Sequence, residues 1–156
     1  MNPQDGITRW QRVRDALLPP ALLGASWDTR VGHLVDAIWR EFGDHSPVSW
    51  VGFYHLNGDE MTLGPRRDKP ACSPIGLQGA CGQAALSGRS LIVPDVRTLG
   101  ENYIACDPRD LSELVVPVCN SAGKVIGVMD LDSYSIGAFG PVDQSALEDL
   151  IQFVLR

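Results

Sequence analysis

Three cysteines and three acids carry most of the chemistry open to this chain. The cysteines stand in Lys69-Pro70-Ala71-Cys72, Gly79-Ala80-Cys81-Gly82 and Ile104-Ala105-Cys106-Asp107. The acids stand in Ser112-Glu113 and Asp130-Leu131-Asp132-Ser133. A thiolate is a nucleophile and a redox centre. Clustered carboxylates bind a cation or, once repulsion raises a pKa, hold and pass a proton. What matters is whether these groups, scattered along the chain, meet in one site.

Asp130 lies in, and Asp132 directly follows, a largely apolar run, 124–131, that reads as a strand. Strand side chains alternate, so both acids point to one face, about 6.5–7 Å apart along the chain. Ile126 and Val128 are expected on that face upstream. Glu113 directly precedes a second strand, 114–118, and residues 120–123 would turn one strand into the other. The start of the first strand of an antiparallel hairpin lies beside the end of the second, which brings Glu113 next to both aspartates. The plain alternative is a strand end emerging into solvent. The functional one is a cation-binding or proton-handling group, with a substrate ammonium as one candidate.

Cys81 stands just before a helix expected over 82–87, where unsatisfied backbone N–H groups favour the thiolate. Cys72 and Cys106 fall in irregular segments. Cys119 ends an apolar strand and reads as a small packing residue. Simple burial competes as the role of any single thiol, and three of four cysteines in loops weaken it. A zinc site does not fit, because there is no Cys-x-x-Cys and His33, His45 and His55 are not spaced as ligands. Spacing leaves a Cys–His nucleophile pair open, although His33 falls on a helix and His55 on a strand with no evident orienting partner. No metal and no cofactor are called for. Trp50 and Tyr54, at i and i+4 of a strand, face one side. They are either core or an aromatic wall opposite the acids.

The elements that must position these groups follow from periodicity. A short helix is predicted over 8–18, ended by Pro19-Pro20. Val31, Leu34, Val35, Ile38, Trp39 and Phe42 form the apolar stripe of a stronger helix, with Asp28 or Thr29 as its cap and Gly43 past its end. A strand over 49–56 and the Asn57-Gly58 turn signal predict a hairpin with 60–63. Residues 64–79 read as a long loop rich in proline and glycine, and such loops are often functional. A strand over 90–93, an irregular stretch over 95–112, the second hairpin, and a helix opened by Pro141 complete the order. With no βαβ alternation, this is an α+β protein in which helices flank an antiparallel sheet.

The chain of 156 residues suits one domain, 1–156, with a helical part over 1–47 and the sheet, active loops and closing helix over 48–156. A net charge of −6 argues against nucleic acid or an anionic membrane surface as a partner. The one basic cluster, Arg66-Arg67-Asp68-Lys69, reads as a solvated loop. The N-terminal residues lack the basic and apolar regions of a signal peptide, and no apolar run approaches a membrane span. A cytoplasmic location with cysteines at rest as thiols is expected, so a disulfide would be catalytic rather than structural.

Taken together, Ser49-Trp50-Val51-Gly52-Phe53-Tyr54, Lys69-Pro70-Ala71-Cys72, Gly79-Ala80-Cys81-Gly82, Ile104-Ala105-Cys106-Asp107, Ser112-Glu113-Leu114-Val115-Val116-Pro117 and Gly127-Val128-Met129-Asp130-Leu131-Asp132-Ser133 resemble the free methionine-R-sulfoxide reductases. These are GAF-domain enzymes, and the resemblance runs from the helix near Val31 through the closing helix. It implies a GAF-like sheet of about six antiparallel strands. It also implies that Cys106 attacks the sulfoxide sulfur, that Cys72 resolves the product as a disulfide, and that Cys81 is accessory. By the same resemblance Glu113, Asp130 and Asp132 contact the substrate's polar groups and assist protonation, Trp50 and Tyr54 line the pocket, thioredoxin is the reductant, and the protein is a homodimer. A non-catalytic GAF module that binds a small regulatory ligand is the alternative function, with a thiol-based redox sensor as a third. This chain departs from the pattern in its lid-forming loops. The stretch between Cys72 and Cys81 is one residue short, Gln78 replaces a basic residue, Asn102-Tyr103 replaces a Gly-His-like pair, and Cys119 is extra.

Overall fold

Alternation along the strands sorts the sheet's side chains into two separate cores, and that division builds the site. The computed structural model describes residues 2–18, 22–43, 47–103 and 106–155. Pro19-Pro20, His45 and Ile104-Ala105 therefore lie outside the described residues. In chain order the elements are α1 (Pro3–Ala16), α2 (Trp27–Phe42), β1 (Trp50–Asn57), β2 (Glu60–Arg67), β3 (Ile75–Gly76), α3 (Ala80–Ser87), β4 (Leu91–Val93), a kinked 3₁₀ segment (Val96–Asn102), β5 (Ser112–Cys119), β6 (Val125–Ser133) and α4 (Pro141–Val154). The six strands form one sheet in the order β3-β2-β1-β6-β5-β4, and every pairing is antiparallel.

One face carries Val51, Phe53, Leu114, Val116, Val118, Met129 and Leu131, which pack on Trp10, Val31, Leu34, Ile38, Phe42, Leu147 and Leu150 of α1, α2 and α4. Truncating a side chain as deeply buried as Leu131 would cost roughly 2–5 kcal/mol. The other face carries Trp50, Tyr54, Val115 and Val128 against Ala80, Cys81, Ala84 and Ala85 of α3. This second core is smaller, and the loops of the site close over it. Among the described residues no helix is long and apolar enough to cross a membrane.

Local signals set the element ends, and several differ from expectation. Helix α1 starts at Pro3 rather than Thr8, because Asn2 accepts a hydrogen bond from Gln4 N and Pro3 suits the first turn. Helix α2 is capped by Ser26, whose hydroxyl accepts from Thr29 N, rather than by Asp28 or Thr29. Strand β2 runs to Arg67, beyond the expected 60–63. Its pairing with β1 slips between Gly52 and Tyr54, where β2 carries an extra residue. This bulge lets Pro65, which has no N–H to donate, sit within a strand. Ile126 is not on the acidic face. Val118 pairs with Gly127 and Cys119 with Val125, so Ile126 bulges out of β6 and packs toward the helical core. The bulge reverses the alternation upstream of Gly127 and leaves Val128, Asp130 and Asp132 together on the other face.

Candidate active site

The acids meet because three strands run side by side. Glu113 of β5 is paired with Asp132 of β6, which is paired on its other side with Trp50 of β1. Asp130 lies one step inward, between Val115 and Gly52. One carboxylate oxygen from each of Glu113, Asp130 and Asp132 lies within 4.8 Å of the others. Glu113 and Asp130 are buried, and Asp130 Oδ1 has no hydrogen-bond partner. Gly52 makes the room. A side chain there would collide with the Trp50 indole, which lies over it.

Trp50 and Tyr54 form the aromatic wall, with ring centroids 6.0 Å apart. Their polar ends hold the loop that follows β2. Trp50 Nε1 donates to the Lys69 carbonyl over 3.1 Å, and the Tyr54 hydroxyl donates to the Cys72 carbonyl over 2.9 Å. That loop ends on Cys72, which forms a disulfide with Cys106 across a Cα separation of 5.6 Å and 34 residues of chain. Both cysteines are exposed at the rim, while Cys81 and Cys119 are free thiols, one buried and one exposed. A single cavity is lined by Trp50, Tyr54, Cys81, Cys106, Glu113, Asp130 and Asp132, with Lys69, Tyr103, Asp107 and Asp110 completing its wall.

Burial sets the acid–base state of this cavity. It pushes the Glu113 carboxyl up to about 7, against a hydrogen bond with Asp132 that favours the anion and with help from the Asp110 charge. Burial and the neighbouring acids hold Asp130 and Asp132 well above the usual carboxylate range. At neutral pH the cluster therefore retains protons. Cys81 behaves opposite to the helix-end expectation. It lies in the first turn of α3, yet burial and then the charges of Asp130 and Glu113 push its thiol up. The thiol donates to Asp130 Oδ2 over 3.3 Å. The partial positive charge of an eight-residue helix is outweighed by desolvation and two nearby carboxyl groups.

Comparison with known proteins identifies the family. The GAF domain family matches residues 24–154. The chain is 34% identical over 134 residues to the free methionine-R-sulfoxide reductase of Saccharomyces cerevisiae, covering 83% of this chain and 74% of that relative. The chain belongs to the free methionine-R-sulfoxide reductase family of GAF domains. Its similarity to the Escherichia coli free methionine-R-sulfoxide reductase is 37% identity over 106 residues, 67% of this chain and 62% of the relative. Among solved structures, that of the Neisseria meningitidis free methionine-R-sulfoxide reductase in complex with its substrate superposes with a TM-score of 0.81 at 30% identity, covering 94% of this chain and 87% of that one.

Within this reductase-family fold, several polar residues of the site escaped the sequence reading. Lys69 is not part of a solvated basic loop. It is half-buried and ion-paired with Asp107. Asp107 is held well below the usual carboxylate range, first by the Arg109 guanidinium and then, against its burial, by Lys69. Asp110 is buried and accepts from the Ser49 hydroxyl over 2.8 Å, and burial raises its pKa. Tyr103 adds a phenol pushed up to about 12 by burial and the surrounding acids. For Tyr103, Asp107 and Asp110 the one available signal was their crowding around Cys106 in Tyr103-Ile104-Ala105-Cys106-Asp107-Pro108-Arg109-Asp110, and Lys69 carried none.

Proposed function

We propose that this protein reduces free methionine-R-sulfoxide to methionine at the cavity between the Cys72–Cys106 disulfide and the Glu113–Asp130–Asp132 cluster. The observation that carries the reading is the opposition of a redox pair and a buried, partly protonated acid group across one small cavity. The family membership supports it, as does the substrate complex of the Neisseria meningitidis relative.

The chemistry follows from what sulfoxide reduction requires. Cys106, as thiolate, attacks the sulfoxide sulfur. The oxygen leaves the substrate only as it gains a proton, which the acid cluster supplies. Methionine departs, and Cys106 carries the oxygen as a sulfenic acid. The Cys72 thiol then attacks that sulfur, releasing water and closing the disulfide. An external dithiol of the thioredoxin type, as a cytosol supplies, returns both thiols, so two electrons and two protons enter per methionine formed. Cys81 is the accessory thiol, bound to Asp130 and too protonated to lead. Trp50 and Tyr54 pack on the methyl end. An anionic member of the acid cluster grips the α-ammonium that only a free amino acid or an N-terminal residue offers, so sulfoxides inside proteins are excluded.

The test is turnover of each methionine sulfoxide epimer with a dithiol, following methionine release. The R epimer is reduced and the S epimer is not. Cys106→Ser abolishes turnover, and Cys72→Ser leaves a sulfenic acid that dimedone traps. No turnover of the R epimer by the reduced wild-type protein, with ligand binding retained, would convert the reading into a non-catalytic ligand-binding module.

A further inference from the structure

The disulfide is not the only bond between the two cysteine loops. Lys69 stands three residues before Cys72, and Asp107 directly follows Cys106. Their side chains are ion-paired. The Tyr134 hydroxyl completes a triangle with them, accepting from Lys69 Nζ at 2.5 Å and donating to Asp107 Oδ2 over 3.0 Å. Arg109 grips the same carboxylate, Nε to Oδ1 at 3.1 Å and Nη2 to Oδ2 at 3.0 Å. The Arg109 guanidinium also lies over the Tyr134 ring, 4.7 Å from its centroid. The Lys69 and Asp107 side chains are only 26% and 12% exposed, which protects the pair from the screening that empties surface ion pairs of value. Tyr134 follows directly on β6, the strand that carries Asp130 and Asp132, so the triangle is anchored to the sheet.

We propose that Lys69, Asp107 and Tyr134 form a non-covalent clasp that keeps the Cys72 loop on the Cys106 loop while the disulfide is open. The clasp spans the same gap as the disulfide with groups that reduction leaves unchanged. Trp50 and Tyr54 tie the Cys72 loop to the sheet, and the clasp adds the direct tie from that loop to the Cys106 loop, so that less conformational entropy is lost each time Cys72 closes onto Cys106. With it, the thiols stay at high effective concentration. These are positioning residues, which act through the thiols and not on a substrate. The inference rests on Cys72 closing onto Cys106 and is independent of which sulfoxide, if any, is reduced.

The test equilibrates the full chain with glutathione and its disulfide. Cys106 first takes up one glutathione as a mixed disulfide, releasing the other. Cys72 then displaces it, so two protein thiols are oxidised and one glutathione disulfide is reduced to two thiols. Acid quenching, alkylation and mass spectrometry give the constant of the second, closing step. Losing charge-assisted hydrogen bonds, Lys69→Met should lower that constant about tenfold, and Tyr134→Phe about threefold. A chain whose only thiol is Cys106 reads the first step alone, and there Lys69→Met should change nothing. The proposal is overturned if both variants, folded by circular dichroism, close as readily as the wild type. It is also overturned if Lys69→Met shifts the single-thiol equilibrium as much as the closing step, since Lys69 would then act on thiol acidity. The assay contains no sulfoxide, so its failure leaves the reductase reading intact, and absent turnover leaves the clasp intact.

Discussion

The Cys81 thiol donates to Asp130 Oδ2 over 3.3 Å from within the first turn of α3, so the position that a helix end should activate is instead held protonated. Ionising it would place an anion in a buried site against Asp130 and Glu113. Alkylation of the reduced protein checks this. Iodoacetamide at pH 7.5 should modify exposed Cys119 more than about tenfold faster than Cys81, because rate follows thiolate fraction and access. Equal rates would restore Cys81 as a candidate nucleophile.

Glu113 should couple activity and stability to pH. Its folded pKa of about 7 lies above the ordinary value of 4.5. The folded state therefore binds more protons than the unfolded state between those values, and stability falls as pH rises through that window, by roughly 3 kcal/mol. Glu113→Gln removes the penalty. Its melting temperature should exceed that of the wild type at pH 8 and match it near pH 4. Turnover by the wild type should decline as pH rises through about 7, and this limb should disappear in Glu113→Gln.

Tyr54→Phe isolates the hold on the cysteine loop. The ring stays in the second core, and only the 2.9 Å bond to the Cys72 carbonyl is lost. A cost of about 1 kcal/mol in global stability is expected. Faster hydrogen exchange and proteolysis confined to residues 68–74 should accompany it. Exchange that rises equally in α4 would show a general loosening instead.

Asp143→Ala is the counterpart remote from the site. Asp143 Oδ2 accepts from the Gly140 N–H that opens α4, and Oδ1 accepts from Trp10 Nε1 of α1, each over 2.8 Å. Removing a cap and leaving a buried indole N–H unpaired should cost about 2–4 kcal/mol by urea denaturation. The closing equilibrium of the two cysteines should be unchanged, because α1 and α4 pack on the opposite face of the sheet.

Local regularity is what the sequence by itself determined. The apolar stripe of α2, the Asn57-Gly58 turn, the hairpin of β5 and β6 and the shared face of Asp130 and Asp132 follow from periods of 3.6 and 2 and from turn chemistry, all carried by neighbouring residues. Even the approach of Glu113 to Asp132 could be read, because a short hairpin makes it a local pairing. Only the tertiary structure decided which loops touch. The Cys72–Cys106 pairing spans 34 residues, and the residue patterns suggested it only through resemblance. The bulge at Ile126, the burial that reverses the acidity of Cys81, and the withdrawal of Lys69 from solvent onto Asp107 and Tyr134 were not legible at all. The reason is common to them. Desolvation and ion pairing depend on what lies across a gap in space, and periodicity along a chain carries no information about the far side of that gap.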